Sequence, residues 1–479
     1  MRSGHRRFRG YIGPVAFLCA VFCLSGCRTL KAPPKPFEEW TPPKWEKTSR
    51  SHDAVWESIR EQEIVSQEPL TLADIISVAL ANNPLTRQVW ETARSRQYRI
   101  KQAESEWFPQ VKAETDLTKQ KKVAHPRTDN LNVRNYGAQA RATYMVLDFG
   151  GRGAAVEEAT QNLLAANFQY NQSIQDLLLS TETAYYEFIS AGSSLEAAEA
   201  DVRDTKTAFE AARQRFDVGL VSKLDVLQAE STYDDSLYVL EEAKGNVKIT
   251  KGTLAQIMGL RADTPFEVAS PPENVPAEMT KEDVTGLIDE ALARRPDIAA
   301  ERATLRAREA AVRIANSDLW PTFNVGGSTE KRWSDYYGDS KTYANYYDYS
   351  AYMKIQWDIF DGFSNLAKRN AVRAEAEAER EKLIQSELEA SKDVWTKYYN
   401  FNTAIKKFKF SVAFLNSSEA SYELASGGYK AGLKSILDVL EAQSKLSEAR
   451  SRLIGSRKDL FVSLAQLIHS TGSLHVRGE

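Results

Sequence analysis

Cysteine, histidine, glycine and proline are all scarce in this chain, and each scarcity closes off an architecture. Among 479 residues the only cysteines are Cys19, Cys23 and Cys27. The body of the chain therefore has no disulfide framework and no thiolate to act as nucleophile or metal ligand. The five histidines, His5, His52, His125, His469 and His475, are scattered without metal-ligand spacing. No metal, cofactor or catalytic constellation is expected, and hence no enzyme. The glycine cluster Gly150-Gly151-Arg152-Gly153 is not a phosphate loop; at a strand-to-helix junction it bends the chain. A net charge of −3 gives no electrostatic case for nucleic acid. Beyond residue 27 no apolar run reaches the roughly 18 residues of a membrane-spanning helix. Only 24 glycines and 16 prolines interrupt long stretches rich in Ala, Glu, Gln, Leu, Lys, Arg and Ser, the composition of long helices.

What the chain does have is an echo of itself. Residues 215–231 read RFDVGLVSKLDVLQAES and residues 428–444 read GYKAGLKSILDVLEAQS, with nine of 17 positions identical. Upstream, Ala79-Leu80, Pro84 and Phe108-Pro109 match Ala291-Leu292, Pro296 and Trp320-Pro321 at a spacing of 212, and Asp148 matches Asp361 at 213. The chain is a tandem duplication of a unit of roughly 200 residues, far longer than a solenoid repeat of about 20–50.

The start of the chain reads as a targeting segment. Arg2, His5, Arg6, Arg7 and Arg9 precede an apolar stretch from Tyr11 to Leu24, which ends in Leu24-Ser25-Gly26-Cys27. That order of charge, apolar core and small residues before a cysteine is a bacterial lipobox, which predicts removal of residues 1–26 and acylation of Cys27. Arg28, in place of an aspartate, favours sorting to the outer membrane. Pro33, Pro34, Pro36, Pro42 and Pro43 make residues 31–43 an extended tether rather than a packed element. The expected layout is a signal peptide (1–26), a lipidated tether (27–69), a first repeat (70–260), a linker (261–282), a second repeat (283–472) and a tail (473–479).

Each repeat predicts long helices around one strand pair. In the first, a helix runs from Thr71 to about Glu106, with a kink allowed at Asn82-Asn83-Pro84. A second, over 153–216, would be about 96 Å long. Gly219 stops it, and Ser222 caps a third helix to about Met258. The second repeat predicts helices over about 284–319, 363–426 and 435–469. Helices this long line a tube or a coiled-coil assembly rather than fill a globule.

Strands are expected at about 109–118, 136–149, 321–333 and 349–361. Ala351, Met353, Ile355, Trp357 and Ile359 alternate with Ser350, Lys354, Gln356 and Asp358, giving one oily and one wet face. Ala138, Ala140, Ala142, Tyr144 and Val146 repeat the pattern. Ile355 is expected near mid-strand on the oily side and Gln356 on the wet side. A connecting loop over 334–348, with Tyr336, Tyr337, Tyr343, Tyr346 and Tyr347, suits a membrane-interface girdle. Strands of about 10–13 residues suit a tilted membrane strand, but four cannot close a barrel, since the smallest has about eight. Two copies would give about eight strands and a filled lumen, three about twelve and a pore.

The duplicated helix–hairpin–helix–turn–helix plan, the Phe/Trp-Pro dipeptides, the Asp-Phe-Gly and Phe-Asp-Gly strand exits and the two Gly-Leu-x-Ser-x-Leu-Asp-Val-Leu turns resemble the TolC-like outer-membrane efflux protein family, over about residues 70–472. The lipobox points to its acylated branch. The resemblance implies a mainly α fold with a membrane β part: duplicated long-helix hairpins forming an α-barrel tunnel, and four strands per chain contributing to a trimeric 12-stranded β-barrel. It implies an exit duct in the outer membrane of a Gram-negative-type bacterium, lipid-anchored and extending into the periplasm, which receives cargo from an inner-membrane transporter and a periplasmic adaptor protein. It also assigns residues. Asp438 and Glu441, at i and i+3 on one helix face, match gate positions that would form acidic rings, and neither is expected to be needed for packing. Tyr429 matches a gate tyrosine, and Lys434 stands where the family's tie has an arginine. Val218-Gly219-Leu220 and Ala431-Gly432-Leu433 match the tips that meet the adaptor, and glycine there also terminates helices. A different class, a periplasmic coiled-coil structural lipoprotein bridging outer membrane and cell envelope, explains the anchor and helices but not the alternating strands.

Overall fold

The computed structural model describes residues 69–122, 131–270, 283–337 and 341–473. The signal segment, Cys27, the tether, His5, His52, His125, His475, most of the linker and the tail lie outside the described residues. Each half runs through the same elements. The first holds α1 (Leu72–Asn82), α2 (Pro84–Glu104), β1 (Gln110–Lys122), β2 (Leu131–Leu147), α3 (Gly151–Asp217) and α4 (Lys223–Ile257). The second holds α5 (Val284–Arg294), α6 (Pro296–Ser317), β3 (Thr322–Tyr337), β4 (Lys341–Gln356), α7 (Ser364–Lys430) and α8 (Ile436–Ser470).

Proline decides where the first helix of each half breaks. Pro84 and Pro296 each begin a helix because they lack an N–H to donate to the turn before, so the kink allowed at Pro84 is a full break and Pro296 makes a second. The breaks are tied to distant helices. Asn83 caps α2 and donates through Nδ2 to the Ile257 carbonyl at 3.0 Å. Arg295 forks onto Asp297, reaches Asp393 at 3.0 Å and donates to the Ser470 carbonyl at 3.2 Å. α3 and α7 run uninterrupted for 67 residues each, about 100 Å at 1.5 Å per residue.

Such helices have no single centre, so apolar packing is divided among separate clusters. Ile75, Tyr185, Leu254 and Met258 close one, around α1, α3 and α4. Leu287, Val394, Phe401 and Leu460 close its counterpart, around α5, α7 and α8. The echo reaches into these cores: Tyr185-Tyr186-Glu187-Phe188 answers Tyr398-Tyr399-Asn400-Phe401 at a spacing of 213. The first half buries Tyr185, whose hydroxyl donates to the Ala269 carbonyl at 2.9 Å. The second buries Phe401 completely.

The strands form one antiparallel sheet in the order β1-β2-β3-β4. β2 pairs with β3, joining the two halves edge to edge and leaving β1 and β4 at the margins. Two expectations are corrected here. The region 334–348 is not a loop: β3 continues to Tyr337 and β4 starts at Lys341, because strand pairing carries the ladder through the tyrosines. β4 ends at Gln356, so Trp357 and Ile359 lie beyond it and Ile355 stands near its end rather than its middle. The register keeps one face apolar across all four strands, aligning Val111, Ala142, Gly327 and Ala351 in one row and Ala113, Ala140, Thr329 and Tyr349 in another. The opposite face aligns Glu114, Gln139, Glu330 and Asp348.

Candidate functional site

Two places in the molecule have functional geometry: the sheet with its junction to the helices, and the two hairpin tips at the far ends of α3 and α7.

The junction turns a strand into a helix through left-handed residues, Phe149 and Gly150 in the first half and Gly362 and Phe363 in the second. The aspartate of each exit caps the next helix: Asp148 accepts from the Arg152 N–H at 2.5 Å and Asp361 from the Asn365 N–H at 2.7 Å. Arg152 is buried here and rivets the junction. It donates to the Met145 carbonyl at 2.7 Å, pairs with Asp148 at 3.3 Å and stacks over Trp107 at 4.3 Å. Phe149 and Trp320 stack at 5.4 Å across the two halves. Trp107, Phe108, Trp320, Trp357, Phe360 and Phe363 are all exposed around this end of the sheet. Tyr343, Tyr347 and Tyr349 are exposed on the apolar face of β4, and Lys331 lies over both Trp333 and Tyr347, at 4.6 and 4.8 Å. The apolar band is thus bordered by aromatic residues on both sides, as in a membrane barrel wall. Sequence reading marked only the tyrosine border. The other is spread over three separate junctions, and folding gathers it.

At the tips, the echoed motif resolves into a stop and a start. Gly219 and Gly432 adopt φ of 75° and 79°, a left-handed conformation that glycine enters without a Cβ clash. The N–H groups of Leu220 and Leu433 then turn back to the carbonyls of Arg215 and Gly428, both at 2.8 Å, which closes α3 and α7. Two residues on, Ser222 and Ser435 open the next helix with matching capping boxes, paired with Asp225 and Asp438. This geometry thrusts Val218, Leu220 (73 % exposed) and Leu433 (82 % exposed) outward. Ala431 and Gly432 are exposed beside Leu433. Beneath them Ala212, Ala229, Tyr429, Ile436 and Val439 pack the two tips against one another.

Asp438 therefore has a task of its own. Its Oδ2 accepts from the Ser435 N–H at 2.9 Å and from the Ser435 hydroxyl at 2.8 Å, while Lys434 Nζ stands 3.9 Å from Oδ1. The Ser435 backbone N–H, then its hydroxyl, then Lys434 hold the carboxyl below its usual pKa. Asp438 is exposed and lies outside the packed cluster, and its carboxylate forms half of a helix cap. Glu441 is exposed one turn further on. Tyr429 is buried, and burial raises the pKa of its phenol. Lys434 does not reach Tyr429's partner helix; its ion pair is with its own capping aspartate.

The residue that crosses between the tips is Arg215. Its guanidinium lies 4.2 Å from the Tyr429 ring centroid and donates to the carbonyls of Tyr429 and Lys430, the latter at 3.1 Å. Sequence reading missed it, although the echo sets Arg215 against Gly428, a charge against nothing. Further from the tips, Arg450 of α8 pairs with Asp201 of α3 at 2.5 Å and Asp204 at 3.2 Å, and Ser447 donates to Asp201 at 2.6 Å. Burial pushes the Tyr422 phenol up to about 12, with Asp204 adding to it. These residues lie roughly 250 positions apart, beyond any local pattern. Among the described residues no group of acids and histidines could hold a metal ion; His469 stands 2.8 Å from Asp176.

A sheet that is apolar on one face and open at both edges, joined to long helices, has the features of a membrane channel wall. The sequence model described as outer membrane efflux protein matches residues 75–260 and 287–473, and the chain belongs to that family. Protein CyaE of Bordetella pertussis is 26% identical over 411 residues, covering 85% of each chain. Outer membrane protein TolC of Salmonella enteritidis is 24% identical over 415 residues, covering 84% of this chain and 82% of its own. The fold matches the outer-membrane channel OprN with a TM-score of 0.73 at 20% identity, covering 89% of this chain and 93% of that one. The protein is an efflux channel of the outer membrane, and the structural-lipoprotein reading falls.

Proposed function

We propose that three copies of this chain form one exit duct, with twelve strands closed into a barrel and six 67-residue helices among those walling a tunnel. The open margins at β1 and β4 support this most directly. An unpaired strand edge is not tolerated in lipid, so the edges of successive copies pair with one another until the ring closes. Cargo enters from an inner-membrane transporter through a periplasmic adaptor, which meets the exposed leucines of the tips. Residues 1–26 are removed, and Cys27 carries the acyl chains that tether the duct to outer-membrane lipid. Asp438 and Glu441 line the periplasmic constriction as acidic rings. The tips carry exposed leucines on a rigid, doubly capped turn, as a docking surface requires.

Light scattering of the detergent-extracted protein, joined to conductance in a planar bilayer, tests this reading. A trimer with stepwise ion conductance is expected. A monomer, or a trimer without conductance, overturns it. Labelling with a clickable palmitate analogue tests the anchor; equal labelling of wild type and Cys27→Ser refutes it.

A further inference from the structure

The apolar face of the sheet stops at an aromatic row, and what lies beyond that row is basic. From Phe323 to Trp333, both on this face, β3 advances ten residues, or about 34 Å at 3.4 Å per residue. A strand tilted by about 40° turns that length into about 26 Å of height, which matches the apolar band of a membrane barrel, about 25 Å. The last row of the band aligns Leu117, Tyr136, Trp333 and Asn345. The next aligns Lys119, Arg134, Asp335 and Tyr343, and Lys121 follows on β1. These two rows therefore stand at headgroup depth. Lys119, Lys121 and Arg134 are all exposed there. Lys331, one row inside the border, holds its ammonium 4.6 Å from the Trp333 ring, as a lysine does where lipid meets water.

The two signs of charge are sorted between the faces. Among the described residues of the strands, Asp335 is the only acid on the apolar face; Glu114, Asp116, Glu330 and Asp348 lie on the other. At the junction end of the band the exposed border is aromatic, and Arg152 there is buried against Asp148. The basic cluster thus belongs to the far end alone. Lys119 and Arg134 are direct register partners, and like charges placed opposite one another repel. Lys121 stands about 7 Å further along β1. An anion seated among the three relieves that repulsion. Asp335, opposite Arg134 on β3, offsets one of the three charges and leaves two. A phosphate monoester carries about −1.5 to −2 near neutral pH, and a guanidinium meets it as a two-pronged fork.

We propose that Lys119, Lys121 and Arg134 bind the phosphate monoester of a saccharide lipid, of the lipid A class, in the outer leaflet of the membrane. This rests on the reading of the chain as a barrel subunit whose helices reach into the periplasm, since that reading puts the far end of the sheet in the outer leaflet. The acyl chains lie along the apolar rows, and the phosphate meets the cations just above them. Three copies carry three such sites around the barrel, and bound lipid fixes the depth at which the barrel sits.

Native mass spectrometry of the detergent-extracted full-length trimer, titrated with bisphosphorylated lipid A, tests the proposal. The triple variant Lys119→Gln, Lys121→Gln, Arg134→Gln should bind about 10- to 100-fold more weakly than wild type. Dephosphorylated lipid A and phosphatidylglycerol should each bind wild type clearly more weakly than lipid A. Equal binding of lipid A to wild type and triple variant overturns the proposal, and so does equal affinity for either control lipid. Displacement of the lipid by an excess of inorganic phosphate assigns the cluster to free phosphate and also overturns it. If the triple variant does not assemble, Lys121→Gln decides alone: a loss of about 5-fold is expected, and no loss overturns the site. The variant Lys112→Gln, Arg141→Gln removes two cations from the opposite face and should bind lipid A as wild type does. If that variant alone loses lipid, the sheet faces the other way and the barrel reading falls with the proposal. If the trimer conducts while all variants bind lipid A equally, the barrel stands and the lipid site fails.

Discussion

The two halves of this chain fold alike and finish differently. Both hairpins end on a left-handed glycine and reopen on a serine–aspartate capping box. Yet Arg215 answers Gly428, Gln228 answers Glu441, and the second half buries Phe401 completely where the first leaves Phe188 half-buried. What the halves share is what a helix needs in order to stop and start. What they do not share concerns where each half faces. The first half offers a cation across the gap, and the second offers an aromatic ring and a row of carboxylates. A duplication inside one chain frees the copies from repeating each other at every site but not from capping their helices.

The core is where this asymmetry should cost most. Phe401→Ala removes a side chain with no exposed surface and should destabilise the protein by about 3–5 kcal/mol, whereas Phe188→Ala, at a half-buried counterpart, should cost clearly less. Thermal unfolding of both variants measures the difference, and equal losses would show the halves to be equivalent there.

The sheet comes next. Ala351 lies at the middle of the apolar band, between Met353 and Tyr349 on the same face, so Ala351→Arg should cost about 2–4 kcal/mol at the bilayer midplane. Ser350→Arg, on the opposite face beside Ser328, should be mild. Folding into lipid vesicles, read by urea titration, ranks the two. A reversed order would turn the sheet inside out.

The caps should be equal between halves. Ser222→Ala and Ser435→Ala should each lose about 1 kcal/mol, because both serines make the same two bonds. Denaturant midpoints that differ widely would mean that one tip is held by something besides its own helix.

The smallest effect concerns pH. Hydrogen bonding in the folded state lowers the Asp438 pKa relative to the unfolded chain. Its contribution is therefore complete above the unfolded value of about 4 and is lost as pH falls through the lower folded one. Asp438→Asn should flatten the stability profile only below about pH 4. A stability difference from wild type that persists undiminished well below about pH 4 would contradict the cap.

Much of this was legible beforehand because it is local. Glycine and proline mark where helices end, so α3 and α7 were expected within a few residues of their observed limits. Strand existence was legible from period-two alternation, as at Ala351, Met353 and Ile355. Strand length was not. Thr118 to Lys122 are uniformly polar, and Tyr343 to Tyr349 are amphipathic whichever way they face, so hydropathy cannot signal a ladder there; only cross-strand hydrogen bonding extends it. The tie at Arg215 was illegible for a related reason. A cation near a helix end is ordinarily solvated, and nothing within reach along the chain says otherwise. Lys434 entered only through the family resemblance, which named no counterpart for Arg215.

By itself the sequence determined the duplicated plan, the element order, the helix stops and starts and the alternation that makes one strand face oily, because each depends on residues within a turn or two of one another. Only the tertiary structure decided the β2–β3 pairing that fuses the halves into one sheet, the aromatic border gathered from three junctions, and the contacts of Arg215 with Tyr429 and of Arg450 with Asp201. Those depend on how α8 packs against α3 as well as against α7, and small residues such as Ala208, Ala212 and Ala442 let the helices approach closely enough for long polar side chains to cross between them.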